Sequence, residues 1–465
     1  MSTFYYSTMR LKVIFIALSS VGALALLFAP PTFLSPAESK AAALALMTIV
    51  CWATGIIPEH LTSLFFFLLA MLFSISPANI IFAGFASAAI WLIFGGLVIG
   101  VAIMSTGLGT RVADWTAALL HGSYLKIITG LVTAGVLFSF LMPSAMGRVV
   151  LLTPITLSIA THFGFNKGAK GRTGIVLAVI LGTFIPAFGI LPANVPNMVL
   201  IGMAETQYNL SLLYGPYLLL HFPVLTMVKA ILIIGLIVWL YPDIPVEQQE
   251  KNKQELLPWS RQEIILAVAL LIMLLLWMTD FFHHISPAWI ALAGAVFLLF
   301  PGINIVSKKQ FNQNINWASI FFIAGILGLG GMISSSGLGD TLAGKIISLL
   351  PLGENQNFTN YVSISFAATI TGIATTLPGV PAVFTPLSES ISQTTDLPIT
   401  TILMMQVLGF STTIFPYQAP PIVIGMQLSG EKFSSAAKIC ALLALITALF
   451  LLPLNYLWWE ILGWL

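Results

Sequence analysis

Apolar runs about as long as a bilayer is thick follow one another through nearly the whole of this chain, as in "HFPVLTMVKAILIIGLIVWL" (221–240). A helix needs roughly twenty such residues to cross the hydrocarbon core, and within that core every backbone polar group must find its partner inside the protein. The chain therefore reads as an all-α integral membrane protein. Composition closes off the soluble alternatives: of 465 residues 58% are hydrophobic and only 7% charged, against roughly a quarter charged in a soluble domain. A β-barrel would alternate polar and apolar residues along short segments, which these runs do not do. The formal net charge of +2 gives no basis for a nucleic-acid partner. Cys51 and Cys440, far apart in apolar segments, suggest neither a disulfide nor a metal site.

Runs bounded by charge or by Pro and Gly place spans near 11–30, 41–57, 61–76, 88–106, 173–203, 217–241, 262–280, 287–301, 317–335, 399–428 and 439–460, about eleven in all. The first has the basic flank and apolar core of a signal peptide, but with so many spans behind it we read it as a retained helix. Two more stretches, about 127–160 and 360–393, are interrupted by Pro and Gly and read as re-entrant hairpins. Alternating sides from a cytoplasmic N-terminus puts Arg111, Lys126, Lys167, Lys170, Arg172, Lys251, Lys253, Arg261, Lys308, Lys309, Lys432 and Lys438 inside, with Lys40 and Lys345 outside. On that topology the first hairpin opens to the cytoplasm and the second to the exterior. A multi-pass protein of a plasma (inner) membrane is expected, with lipid as its solvent.

The chain also resembles itself. "IWLIFGGLVIGVAIMSTGLGTRVA" (90–113) aligns without a gap onto "IFFIAGILGLGGMISSSGLGDTLA" (320–343), and "ILPANVPNMV" (190–199) onto "IFPYQAPPIV" (414–423). Between these pairs each half carries a broken hairpin ending in Thr-Pro, at Thr153-Pro154 and Thr385-Pro386. The expected organisation is an N-terminal helix (1–35), repeat 1 (36–245), a cytoplasmic linker (246–261) and repeat 2 (262–465), the repeats inverted relative to each other. Paired broken segments in inverted repeats point to a secondary transporter with its site near the membrane midplane. Pro and Gly free backbone groups that must line protein or water, and half-helix ends then attract ions. The glycines of "IFGGLVIG" and "GILGLGG" read as close-packing positions between helices.

On these motifs the chain resembles the divalent anion/sodium symporter family, which moves dicarboxylates, citrate and sulfate. That resemblance implies a first helix plus two inverted five-helix repeats, a homodimer, elevator-type alternating access, and substrate and sodium held by two hairpin tips and two helix breaks. Each family tip carries Ser-Asn-Thr ten residues before a proline. Here those places hold Ser144-Ala145-Met146 and Thr376-Leu377-Pro378. The first break keeps Pro196-Asn197, whereas the second keeps Pro420-Pro421 but has Ile422 for Asn. The resemblance thus carries the architecture further than the ligand chemistry. Sodium at the tips is left as a coupling ion with unknown ligands, since backbone carbonyls can still hold it; proton coupling or exchange stays open beside it. No other cofactor is expected.

The candidate binding residues are Ser144, Ala145, Met146, Gly147 and Arg148 in the first tip, Asn194 and Asn197 in the first break, Thr375, Thr376, Pro378 and Gly379 in the second tip, and Gln418 in the second break. Arg148 stands where the exchanger branch of the family continues Ser-Asn-Thr-Ala-Arg, and a guanidinium can take a carboxylate or sulfate bidentately. The bland alternative is a snorkelling or ion-paired arginine. Lys229, mid-span, leaves room for a coupling role but reads rather as a snorkelling or paired lysine of a scaffold helix, and Asp280, His283 and His284 read as wetted residues at a span's outer edge. A di- or tricarboxylate, or sulfate, is the expected substrate. A cation/proton antiporter is the alternative, although Glu389 is the acid nearest a suitable place; a membrane enzyme lacks the His/Asp/Glu constellation that it needs.

Overall fold

The computed structural model describes residues 2–109, 111, 122–245 and 258–465, and among these the regular structure is helical. Most of the expected linker 246–261 lies outside the described residues. Eight helices are long and apolar enough to cross a membrane, or nine if the bent pair Asn357–Ala374 and Gly379–Thr395 is one span. That count includes both arms of the first hairpin, while the expected spans near 61–76, 287–301 and 399–428 contain the shorter helices Glu59–Leu72, Pro287–Leu299 and Ile399–Phe410. Local chemistry sets several boundaries. Ser35 with Glu38, and Ser260 with Glu263, form reciprocal capping boxes that start Pro36–Thr54 and Arg261–Met278. Gly55, at φ +59°, ends the first of these in the left-handed conformation that costs glycine little.

Both halves contain the same succession of elements. A long helix, Ala88–Thr106 or Trp317–Ser335, precedes a hairpin, and a broken helix follows it. The long helices are exchanged between halves: Ala88–Thr106 packs on Pro287–Leu299, and Trp317–Ser335 on Glu59–Leu72. Gly95 and Gly325, equivalent in the gapless alignment, sit at these two crossings. A Cβ on Gly95 would lie 2.6 Å from the Ala291 carbonyl oxygen, and one on Gly325 would lie 2.5 Å from Ser63 Cβ. These positions therefore act in close packing, where two backbones approach without an intervening side chain.

The first hairpin is Tyr124–Leu141 and Ala145–His162, turning at Met142-Pro143-Ser144. The second turns through 119° between Asn357–Ala374 and Gly379–Thr395. Lys170–Phe184 runs into the 3-10 turns Pro186–Gly189 and Leu191–Ala193 before Val195–Tyr208 resumes. Ile399–Phe410 likewise stops, makes a turn at Pro416–Gln418, and restarts as Pro420–Ser429. Proline causes these restarts, because it lacks the amide that a continuous helix must donate.

Candidate functional site

Two tips and two breaks meet around a cavity of about 350 Å³. Its wall includes Met142 to Gly147 from the first tip, Thr376 to Pro378 from the second, Val195 and Pro196 from the first break, and Gln418 to Pro421 from the second. Gly96, Gly100 and Asn316, from the long exchanged helices or beside them, also line it. The volume lies within the usual range for a small-molecule site.

Helices from the first tip and both breaks begin on this wall, namely Ala145–His162, Val195–Tyr208 and Pro420–Ser429, and Asn316, which precedes Trp317–Ser335, borders it too. Helix starts carry partial positive charge; at Pro420–Ser429 that is the dipole alone, since Pro420 and Pro421 have no amide N–H and the Ile422 amide donates to the Ala419 carbonyl at 2.9 Å. Ser144 caps Ala145–His162, its Oγ accepting from the Gly147 amide at 3.1 Å. Gln418 is wholly buried; its Oε1 accepts from the amides of Ile414 and Phe415 at 2.9 and 2.8 Å. That fixes the side chain of this wall residue and leaves its Nε2 buried without a protein partner, on the side of Gly372. Glu59 is the charged side chain on the described wall. An anion here would be held by helix ends, amides and an oriented carboxamide, with no cationic side chain in the lining.

Arg148 is wholly buried beneath the first tip and does not line the cavity in this conformation. Its guanidinium donates to the Met142 carbonyl at the tip, to the Ala193 carbonyl at 3.1 Å and to the Thr183 carbonyl at 3.2 Å. It thus joins the hairpin turn to both sides of the first break. Nε has no partner. The guanidinium neither snorkels nor meets an acid: the ion pairs among the described residues are Arg111–Glu263 and Arg172–Glu431.

The two asparagines of the first break also serve freed backbone groups. Asn197 Nδ2 donates to Phe188 and Ile190 carbonyls at 3.2 and 2.9 Å. The Asn194 amide is best oriented to donate to the Ala193 carbonyl at 3.0 Å while accepting from the Phe188 amide at 3.3 Å. Both side chains are wholly buried and neither is on the cavity wall. In the second tip, Thr375 Oγ1 reaches the Thr371 carbonyl at 2.9 Å and the Thr376 carbonyl at 3.0 Å. Thr376 has φ +126°, a rare conformation for a β-branched residue, and it faces the cavity. Such strain persists only where surrounding structure imposes it, and it concentrates at functional sites. Gly379 donates its amide to the Thr376 carbonyl at 3.0 Å, closing the tip.

Lys229 neither snorkels nor pairs with an acid among the described residues. It is buried in the long helical segment Tyr214–Leu240 and donates to the Ser411 carbonyl and Oγ at 2.9 and 3.1 Å, at the second break. Asp280 is also not the wetted edge residue expected. It is wholly buried and accepts from the amides of Tyr214 and Gly215, capping that same segment. A carboxylate at a helix start satisfies amides that lipid cannot. Among the described residues, no group of three or more His, Cys, Asp or Glu is placed to hold a metal.

Comparison with known proteins agrees with this architecture. An uncharacterized transporter of Haemophilus influenzae is 22% identical over 91% of this chain and 92% of its own. A membrane protein of Cupriavidus necator is 25% identical over 82% of this chain and 76% of its own. Among solved structures, the YdaH transporter of Alcanivorax borkumensis, described as having an unusual topology, superposes with a TM-score of 0.51 at 15% identity, covering 98% of this chain and 99% of its own. That likeness bears on the fold. The sodium:sulfate symporter transmembrane region matches residues 9–465, and the chain is a multi-pass membrane protein belonging to this transporter family.

Proposed function

We propose that this protein is a secondary active transporter of a small divalent anion, a di- or tricarboxylate or sulfate, bound in the cavity between the two tips. The observation that carries the reading is the convergence there of both tips and both breaks, with the starts of Ala145–His162, Val195–Tyr208 and Pro420–Ser429 on the cavity wall. Helix N-termini bind carboxylate, sulfate and phosphate through oriented amides and the helix dipole. In this reading Ser144, Ala145 and Met146 present the first tip's amides and Gly147, whose amide is capped by Ser144, lines the wall beside them, while Thr376, Pro378 and Gly379 shape the second tip. Arg148, Asn194, Asn197 and Thr375 hold the tips and breaks in place.

The repeats of 36–245 and 262–465 are inverted, and the hairpins with their broken helices move as one body in an elevator-type cycle. The protein is a homodimer in the plasma (inner) membrane with a cytoplasmic N-terminus, and it couples transport by cation symport or by anion exchange. The test is uptake by proteoliposomes of labelled succinate, malate, citrate, tartrate and sulfate, driven by a sodium gradient, a proton gradient or internal anion. Uptake of one of these, competed by its congeners, supports the reading. Absence of uptake under all three driving conditions would sink it.

A further inference from the structure

Arg148 and Lys229 are both buried in the helical bundle, and each binds carbonyl oxygen at a helix break. Neither takes part in an ion pair with a described acid. A lone cation at such depth is costly unless local dipoles replace its hydration. At the second break those dipoles are evident: Ile399–Phe410 ends there, so its carbonyl end carries partial negative charge. Ser411 adds its carbonyl and its hydroxyl oxygen; the hydroxyl itself donates to the Leu408 carbonyl at 3.2 Å, which leaves Oγ to accept from Lys229. Half-helix carbonyl ends and unwound backbone oxygens are the groups with which membrane transporters bind alkali cations.

The segment that delivers Lys229 also holds the first break. Tyr217 donates its hydroxyl to the Phe188 carbonyl at 2.9 Å, and Thr226 donates to the Pro186 carbonyl at 2.5 Å. Between Tyr217 and Lys229 the segment widens into a π-helix, Phe222–Val228. A π turn shifts the register of the helix beyond it and is frequent at functional sites. One segment therefore satisfies both breaks, using neutral hydroxyls at the first and an amine at the second.

We infer that Lys229 is a built-in cation that closes the second break in the place an alkali ion would take, with Arg148 filling the corresponding role at the first, so that the anion site assembles without sodium. This rests on the transporter reading, and it resolves that reading's open choice of coupling ion against sodium. The test is thermal unfolding of the purified full-length protein, without substrate, in sodium chloride and in choline chloride at equal ionic strength. The wild type should unfold at the same temperature in both salts. Lys229→Met should unfold earlier in choline and recover in part, saturably, with sodium entering the vacated place. Saturable stabilisation of the wild type by sodium would overturn the inference, as would a Lys229→Met protein destabilised equally in both salts. If that variant does not fold, the wild-type sodium titration decides alone, because a filled site shows no saturable shift. No substrate enters this measurement, so the transport reading fails separately, by absent uptake in vesicles.

Discussion

Arg172 and Glu431 pair at 3.0 Å, joining the start of the first broken helix to the residues just past the end of the second. The contact is reinforced on both sides: Arg172 also donates to the Ser429 carbonyl at 3.2 Å, and Thr173 Oγ1 donates to the other Glu431 oxygen at 2.7 Å. The segments Lys170–Phe184 and Pro420–Ser429 also pack directly on one another. The two breaks are thereby held at one distance, as a site shared between them requires.

Removing one partner should loosen that frame. Both side chains are mostly buried, at 17% and 8% exposure, so Glu431→Gln is expected to cost about 1–3 kcal/mol of stability. The charge-swapped double variant Arg172→Glu with Glu431→Arg should recover part of the loss. A thermal-unfolding double-mutant cycle measures the coupling, and additive single effects would show that the pair holds nothing together.

Arg148 bears on both tip and break. Replacing it by Lys keeps the charge but loses the planar fork that reaches Met142, Ala193 and Thr183 together. Arg148→Lys should therefore lower uptake at least tenfold, and Arg148→Met should also destabilise the fold by about 3 kcal/mol through unpaired carbonyls. Uptake in proteoliposomes, read beside melting temperature, separates these effects. An Arg148→Met protein with full stability and no uptake would instead return the guanidinium to direct contact with substrate.

Much of this was legible along the chain, because proline and glycine act locally. Pro143, Pro196 and Pro420 mark a turn and two restarts, although Pro154 lies inside the continuous helix Ala145–His162, and the apolar runs mark the helices. What was not legible depends on where freed backbone groups end up in space. No spacing rule connects Lys229 with Ser411, or Arg148 with Thr183 and Ala193, since those acceptors exist only once the helices have broken and the segments have met. Asp280 escaped for the same reason: its position suggested water, and its partners are the amides of Tyr214 and Gly215. The strain at Thr376 has no sequence signature either, because a threonine at φ +126° runs against its own preference.

The exchanged long helices make a prediction about fold alone. Adding a methyl group at Gly95 or Gly325 places it 2.6 Å from backbone at Ala291 or 2.5 Å from Ser63 Cβ. Both should be damaging, since neither backbone nor a Cβ can rotate away, at about 1–3 kcal/mol each. Gly235→Ala, where a Cβ would meet nothing within 4 Å, serves as the control. Equal melting temperatures for all three variants would mean that these crossings are looser than the structure has them.

Gln418 gives the sharpest separation between holding the fold and binding substrate, because its two ends do different work. Oε1 accepts from the Ile414 and Phe415 amides, whereas Nε2 is a buried donor without a partner in a residue that borders the cavity. Gln418→Glu keeps an oxygen for those amides but puts a second, charged oxygen where the donor stood. The two amides offset the new buried charge only in part, so stability should fall by about 1–3 kcal/mol at neutral pH, while affinity for the transported anion falls at least tenfold, or about 1.4 kcal/mol. Acidifying the medium protonates the new carboxyl and restores an O–H donor, so affinity should recover as pH drops in the variant and not in the wild type. Isothermal titration with the anion identified by uptake, across a pH series, reads both effects. Wild-type affinity in Gln418→Glu at neutral pH would place the substrate away from the second break and remove the carboxamide from the binding site.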